Sequence, residues 1–115
     1  MENLKELNTI NELNNAIEES NQRPVLLFKH SITCPISSRA FDQFNSYLTQ
    51  ADPRVSYNLI IVQIDREVSD KIVTRLGVEH ESPQAILIRN GREVWNESHR
   101  GITVSSLDAA IKNVG

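Results

Sequence analysis

The chemistry open to this chain narrows to one sulfur. Cys34, in the stretch HSITCPIS (residues 30–37), is the only cysteine among 115 residues. One cysteine cannot close an internal disulfide, so a secreted disulfide scaffold and a C-x-x-C dithiol oxidoreductase are both excluded. Two roles remain: an inert packed thiol, or a thiol that reacts with something outside its own chain. The neighbours favour the second. Pro35 suits the first turn of a helix, which makes Cys34 its N-cap. The free amides of Ile36 and Ser37 and the positive end of the helix dipole would then favour thiolate over thiol. A free thiol, with a pKa of about 8.5, is only a few per cent ionised at neutral pH. A dominant thiolate needs a drop of about two units, roughly 2.7 kcal/mol. A helix dipole contributes about 0.3–1 kcal/mol, rising to about 2 in favourable geometry. The remainder must come from hydrogen bonds to the sulfur, and the Ser37 hydroxyl and the first-turn amides are the local donors.

Ser37 also sets the reaction type. In a dithiol site the second cysteine displaces whatever the first has captured. A serine cannot do so, and a C-x-x-S site passes through a mixed disulfide that waits for an outside thiol. The implied reaction is transfer of a thiol group between a protein and a small molecule.

The elements that must hold this site are legible around it. Thr9 and Glu12 have capping-box spacing, and Ile10, Leu13, Ala16 and Ile17 recur at helical intervals up to about Ser20. VLLFK (25–29) is a short apolar run that predicts a buried strand. Pro35 opens a helix whose apolar face carries Ala40, Phe41, Phe44, Tyr47 and Leu48. VSYNLIIVQID (55–65) predicts a second strand, buried on both faces where it becomes continuously apolar. A third helix carries Val68, Ile72, Val73 and Leu76 and stops at Gly77. SPQAILIR leads into Asn90-Gly91, the strongest hairpin signal in the sequence, and REVWNES returns as the partner strand. Thr103 caps a last helix with Val104, Leu107, Ala110 and Ile111. The order α-β-α-β-α-β-β-α predicts one α/β domain over residues 1–115, a mixed four-stranded sheet with helices on both faces. That is a thioredoxin-like layout.

Such a layout gives two further loops a meaning. Pro83 precedes a strand, which a proline may simply begin. In a thioredoxin-type arrangement, however, its loop faces the cysteine, its peptide bond is cis, and the backbone of Ser82 can pair with an extended substrate. In HRGIT (99–103), Gly101 stands just before a helix start with Arg100 beside it, a combination that can hold a carboxylate. A plain turn followed by the Thr103 cap accounts for the same residues. Cys34, Ser37 and Pro83 are therefore the expected catalytic set. Thr33, Pro35, Ile36, Ser82, Arg100, Gly101 and Thr103 are the expected substrate contacts. His30, His80 and His99 lie in separate loops without ligand spacing, so no metal is expected. Trp95 reads as packing.

Composition removes other classes. The net charge is −3 and aromatics make up 5% of the chain, which argues against a nucleic-acid surface. No apolar run approaches the roughly 20 residues needed to span a bilayer. The polar stretch MENLKELNTINELNNAIEES lacks the apolar core of a secretory signal, so a cytoplasmic location is the expectation.

FKHSITCPIS, followed by a helix and later by ESPQAILIRNGREVW, resembles the monothiol bacilliredoxin family of the YtxJ type, across essentially the whole chain. The resemblance implies a thioredoxin-like fold and an enzyme that removes bacillithiol from S-bacillithiolated client proteins. Cys34 matches the reactive cysteine and Pro83 the cis-proline. It implies no bound cofactor, with bacillithiol as thiol co-substrate and a second bacillithiol or a recycling reductase to regenerate Cys34. Bacillithiol carries a malate with two carboxylates, which suits the Arg100–Gly101 helix start. The chain lacks the Cys-Gly-Phe-Ser motif and Gly-Gly turn of glutathione-using monothiol glutaredoxins. Two other readings stay open on the sequence: a non-catalytic adapter that holds peptides at the Pro83 loop, and a dimeric iron–sulfur carrier with Cys34 as ligand.

Overall fold

The structure, a computed structural model, describes residues 4–114. Strand β1 (Leu4–Glu6) leads into helix α1 (Ile10–Glu19), then β2 (Val25–His30), α2 (Pro35–Leu48), β3 (Ser56–Ile61) and α3 (Arg66–Leu76). The hairpin β4 (Gln84–Arg89) and β5 (Arg92–Ser98) follows, then a short 3-10 turn (His99–Gly101) and α4 (Val104–Val114).

The local signals explain these boundaries. Thr9 Oγ1 accepts from the Glu12 amide at 3.1 Å, and the Glu12 carboxylate accepts from the Thr9 amide at 3.1 Å, closing the capping box at the start of α1. Gly77 ends α3 at φ +69°, a conformation that is cheap for a residue without a Cβ. Asn90 and Gly91, at φ +56° and +75°, make the two-residue turn that Asn-Gly predicts.

The sheet runs β1-β3-β2-β4-β5. β2 is parallel to β3 and antiparallel to β4, and β5 is antiparallel to β4. The four expected strands are all present, and β1 is a fifth, in a polar stretch ahead of the Thr9 cap where no strand is expected. β1 lies parallel to β3, with Leu4 opposite Tyr57. Three residues are too few to display a period of two, and β1 is formed by its single neighbour rather than by its own pattern.

Alternation along the central strands divides the core into two layers. Leu26 and Phe28 of β2 join Phe44 and Tyr47 of α2 and Leu107 and Ile111 of α4 on one face. Val25 and Leu27 join Leu13 and Ile17 of α1 and Val68 and Ile72 of α3 on the other. Every residue of β2 is buried, as its near-continuous apolar run requires. Full burial of a side chain such as Phe28 contributes about 1.5–3 kcal/mol, so β2 is firmly fixed.

The register sets the site. Gln84 lies opposite both Lys29 and Ser98, and His30 lies opposite Ile61. The end of β2, the end of β3, the start of β4 and the end of β5 therefore meet at one end of the sheet. The loops holding Cys34, Gln63, Pro83 and Arg100 all leave from that end.

Candidate active site

Cys34 is the N-cap of α2, with Pro35 as the first helical residue. The thiol is half-buried and free, so it is neither sealed into the core nor fully in water. β2 delivers the chain to this point, and α2 is held behind it by Phe44, stacked on Phe28 at 4.6 Å between ring centroids. The sulfur itself makes no capping hydrogen bond to the first-turn amides. The amides of Ile36 and Ser37 are thus nearby, but they do not bond to sulfur as the sequence reading expected.

Ser37 differs more sharply from expectation. Its side chain is fully buried. Its hydroxyl accepts from the Ser31 amide at 2.8 Å and lies 2.8 Å from His30 Nδ1. It is a brace between the end of β2 and the first turn of α2, not a donor to Cys34. The physical reason is its place at the third helical position, where the side chain turns back into the core under the loop. His30 is buried too, stacked on Phe41 at 4.4 Å. Burial lowers its pKa from the ordinary imidazole value, so the neutral ring is favoured.

The three-residue loop before Cys34 has a second brace that the sequence reading missed. Gln63, just beyond β3, accepts from the Ile32 amide at 3.2 Å and donates to the hydroxyls of Ser31 and Thr33 at 2.6 and 3.1 Å. No local pattern marks a residue thirty positions from its partners. Thr33, an expected substrate contact, thus spends one lone pair of its hydroxyl on Gln63 while the residue stays exposed, as does Pro35.

The Ser82–Pro83 peptide bond is cis. Pro83 is buried, and its carbonyl accepts from the His99 amide at 3.1 Å, tying the Pro83 loop to the turn after β5. Beneath that loop lies a feature with no sequence forecast. Lys29 is fully buried in β2, and its ammonium has no hydrogen-bond partner among the described residues. Burial lowers its pKa to about 8, against the opposing pull of Asp70 and Glu81.

The start of α4 is already capped. The Thr103 amide donates to Ser106 Oγ and the Ser106 amide to Thr103 Oγ1, both at 3.0 Å, while the Val104 amide donates to Gln43 Oε1 at 3.0 Å. The carboxylate cradle expected at this helix start is therefore corrected in part: the Ile102, Thr103 and Val104 amides already have acceptors within the fold. Gly101 has another use: a methyl group there would run into the Glu97 side chain. Arg100 is exposed on the turn, across a groove from Ile36 and Arg39 of α2.

The arrangement is a lone, half-buried thiol on a doubly braced loop, at the same end of the sheet as a cis-proline and a cation-lined groove. Chemically it can capture one sulfur and cannot displace it from within. Comparison with known proteins agrees in kind. The family model described as monothiol bacilliredoxin BrxC matches residues 5–107. A solved structure described as a candidate oxidoreductase with a thioredoxin fold is 42% identical, with a TM-score of 0.83 over 95% of this chain and 94% of its own. The thioredoxin of Fasciola hepatica is 20% identical, with a TM-score of 0.76 over 95% and 97% of the two chains. A thioredoxin of Malassezia sympodialis is 14% identical, with a TM-score of 0.74 over 96% and 89%. The two thioredoxins speak for the fold alone.

Proposed function

This chain belongs to the monothiol bacilliredoxin family, and from that premise we propose that it removes bacillithiol from S-bacillithiolated proteins through a mixed disulfide on Cys34. The thiolate of Cys34 attacks the bacillithiol sulfur of the client's mixed disulfide. The new bond joins Cys34 to bacillithiol, the client's S–S bond breaks, and the electron pair leaves on the client's cysteine, which takes up a proton. A second thiol, from bacillithiol or a recycling reductase, then attacks the bacillithiol sulfur on Cys34 and restores the thiolate. No oxidant is needed, because each step exchanges one disulfide for another.

The observation that carries this reading is the pairing of a half-buried Cys34 at the start of α2 with a Ser37 turned into the core. Nothing within the chain can release a captured thiol, so the adduct must persist until a partner arrives. Thr33, Pro35 and Ile36 flank the incoming disulfide. In this reading the Ser82 backbone beside Pro83 pairs in strand fashion with an extended client segment. These contacts, the client proteins and a cytoplasmic setting belong to the same proposal.

The test is intact-protein mass spectrometry after incubation with bacillithiol disulfide. One bacillithiol adduct is expected, removed by excess bacillithiol and missing in Cys34→Ser. An unmodified wild-type protein under conditions that modify a free cysteine peptide would overturn the reading.

A further inference from the structure

A groove of about 360 Å³ separates the first two turns of α2 from the turn after β5, with Ile36, Arg39 and Gln43 on one wall and His99, Arg100 and Thr103 on the other. Its floor is the buried pair Ala40 and Ile102. We propose that this groove is the subsite for the carboxylates of the small thiol, clamped between Arg39 and Arg100 while its sulfur exchanges at Cys34. The proposal rests on the thiol-transfer reading above and adds to it a specific ligand chemistry and a residue, Arg39, on the wall opposite Arg100.

Charge makes the case. The chain as a whole is acidic, at −3, yet no carboxylate lines this groove. Neither Arg39 nor Arg100 forms an ion pair with another described residue, whereas Arg23, Arg54, His99 and Lys112 do. The nearby acids are engaged elsewhere. Glu81 stands 3.7 Å from His99, and Glu97 accepts from the Ser98 amide at 3.0 Å behind Gly101. Two uncommitted guanidinium forks thus face one cleft from two different elements.

Position and capping narrow the ligand. Ile36 is two residues past Cys34, so the groove begins beside the reactive position. The Thr103, Val104 and Ser106 amides at the α4 start are taken by Ser106, Gln43 and Thr103, and the two arginines are the cationic donors that line the groove without an ion-pair partner among the described residues. A guanidinium grips a carboxylate with two parallel hydrogen bonds. Two forks suit a dicarboxylate such as the malyl unit of bacillithiol better than a single charge. The volume lies at the low end for small-molecule sites, which fits a compact thiol.

The test compares the rate of Cys34 adduct formation with bacillithiol disulfide and with uncharged hydroxyethyl disulfide. The readout is the ratio of the two rates. Arg39→Ala and Arg100→Ala are each expected to lower that ratio five- to tenfold, and added salt to lower it in the wild type. Equal rate losses toward both disulfides, or none, would overturn the subsite. A second measurement separates this from the exchange chemistry. In Cys34→Ser, titration with malate followed by amide NMR should shift signals at residues 36–43 and 99–104, and Arg39→Ala/Arg100→Ala should abolish the shifts. Shifts in Cys34→Ser without any Cys34 adduct in the wild type would overturn the catalytic reading and leave the anion site standing. Adducts without shifts, and with an unchanged ratio, would mean that Cys34 reacts but the groove holds an acidic client segment or nothing.

Discussion

His30 Nδ1 lies 2.8 Å from the Ser37 hydroxyl, and the same hydroxyl accepts from the Ser31 amide at 2.8 Å. The serine of the C-x-x-S motif is therefore a joint between strand and helix, and its removal should be felt in stability before chemistry. Ser37→Ala leaves a buried ring nitrogen and a part-buried amide without partners, at a cost of about 1–3 kcal/mol. Urea denaturation should show that loss, while the bacillithiol adduct on Cys34 still forms and still persists. An adduct that vanished in a folded Ser37→Ala protein would instead make the hydroxyl part of the exchange step.

His30 gives the fold an acid sensitivity. Burial lowers its folded-state pKa, so the unfolded chain, with an imidazole near 6.5, takes up a proton before the native state does. The stability tied to the neutral ring is complete above that unfolded value and declines as pH falls from there toward the native pKa. His80 is shifted in the same direction, chiefly by burial, and adds to the trend. The urea midpoint should drop between pH 7.5 and pH 5.5. His30→Phe, which keeps a ring against Phe41, should start lower but lose less over that interval.

Gln63 makes a prediction of the opposite kind. Its three bonds to the loop at Ser31, Ile32 and Thr33 are solvent-exposed, and exposed polar contacts contribute little to global stability. Gln63→Ala should shift the stability by less than about 0.5 kcal/mol. The loop ahead of Cys34 should nonetheless loosen, seen as faster amide hydrogen exchange at Ile32 than in the wild type. An unchanged exchange rate there would show that Ser37 alone suffices to hold the loop.

These braces explain what was readable in the sequence and what was not. The N-cap position of Cys34, the Thr9–Glu12 box, the Gly77 stop and the Asn90–Gly91 turn are local, each set by residues within four positions, and the structure contains all of them. The site's hydrogen bonds are not local. Gln63 reaches its partners from the turn just beyond β3, and the direction of Ser37 depends on where β2 ends relative to α2. Arg39 faces Arg100 only because α2 and the turn after β5 are neighbours in space. β1 escaped because three residues carry no period. Lys29 lies inside the strand expected at VLLFK, but nothing local shows that its ammonium ends without a hydrogen-bond partner among the described residues.

That lysine is a costly choice for the core. It is fully buried, its Nζ has no hydrogen-bond partner among the described residues, and Asp70 and Glu81 only partly offset the cost of burial. An ammonium buried without a hydrogen-bond partner carries a desolvation cost that an apolar side chain of similar length does not, so Lys29→Met should raise the midpoint of unfolding at pH 7. The pH dependence identifies the cause. With a folded pKa of about 8 against an ordinary 10.5, the ammonium is charged in both states below about pH 8, where its full penalty applies. Between that value and the unfolded one, the native state sheds its proton first, and wild-type stability gains from this residue as pH rises. The advantage of Lys29→Met over wild type should therefore be largest near neutrality and shrink toward pH 10. A variant less stable than wild type at pH 7 would show that the ammonium is well solvated or paired where it sits, and that β2 depends on its charge.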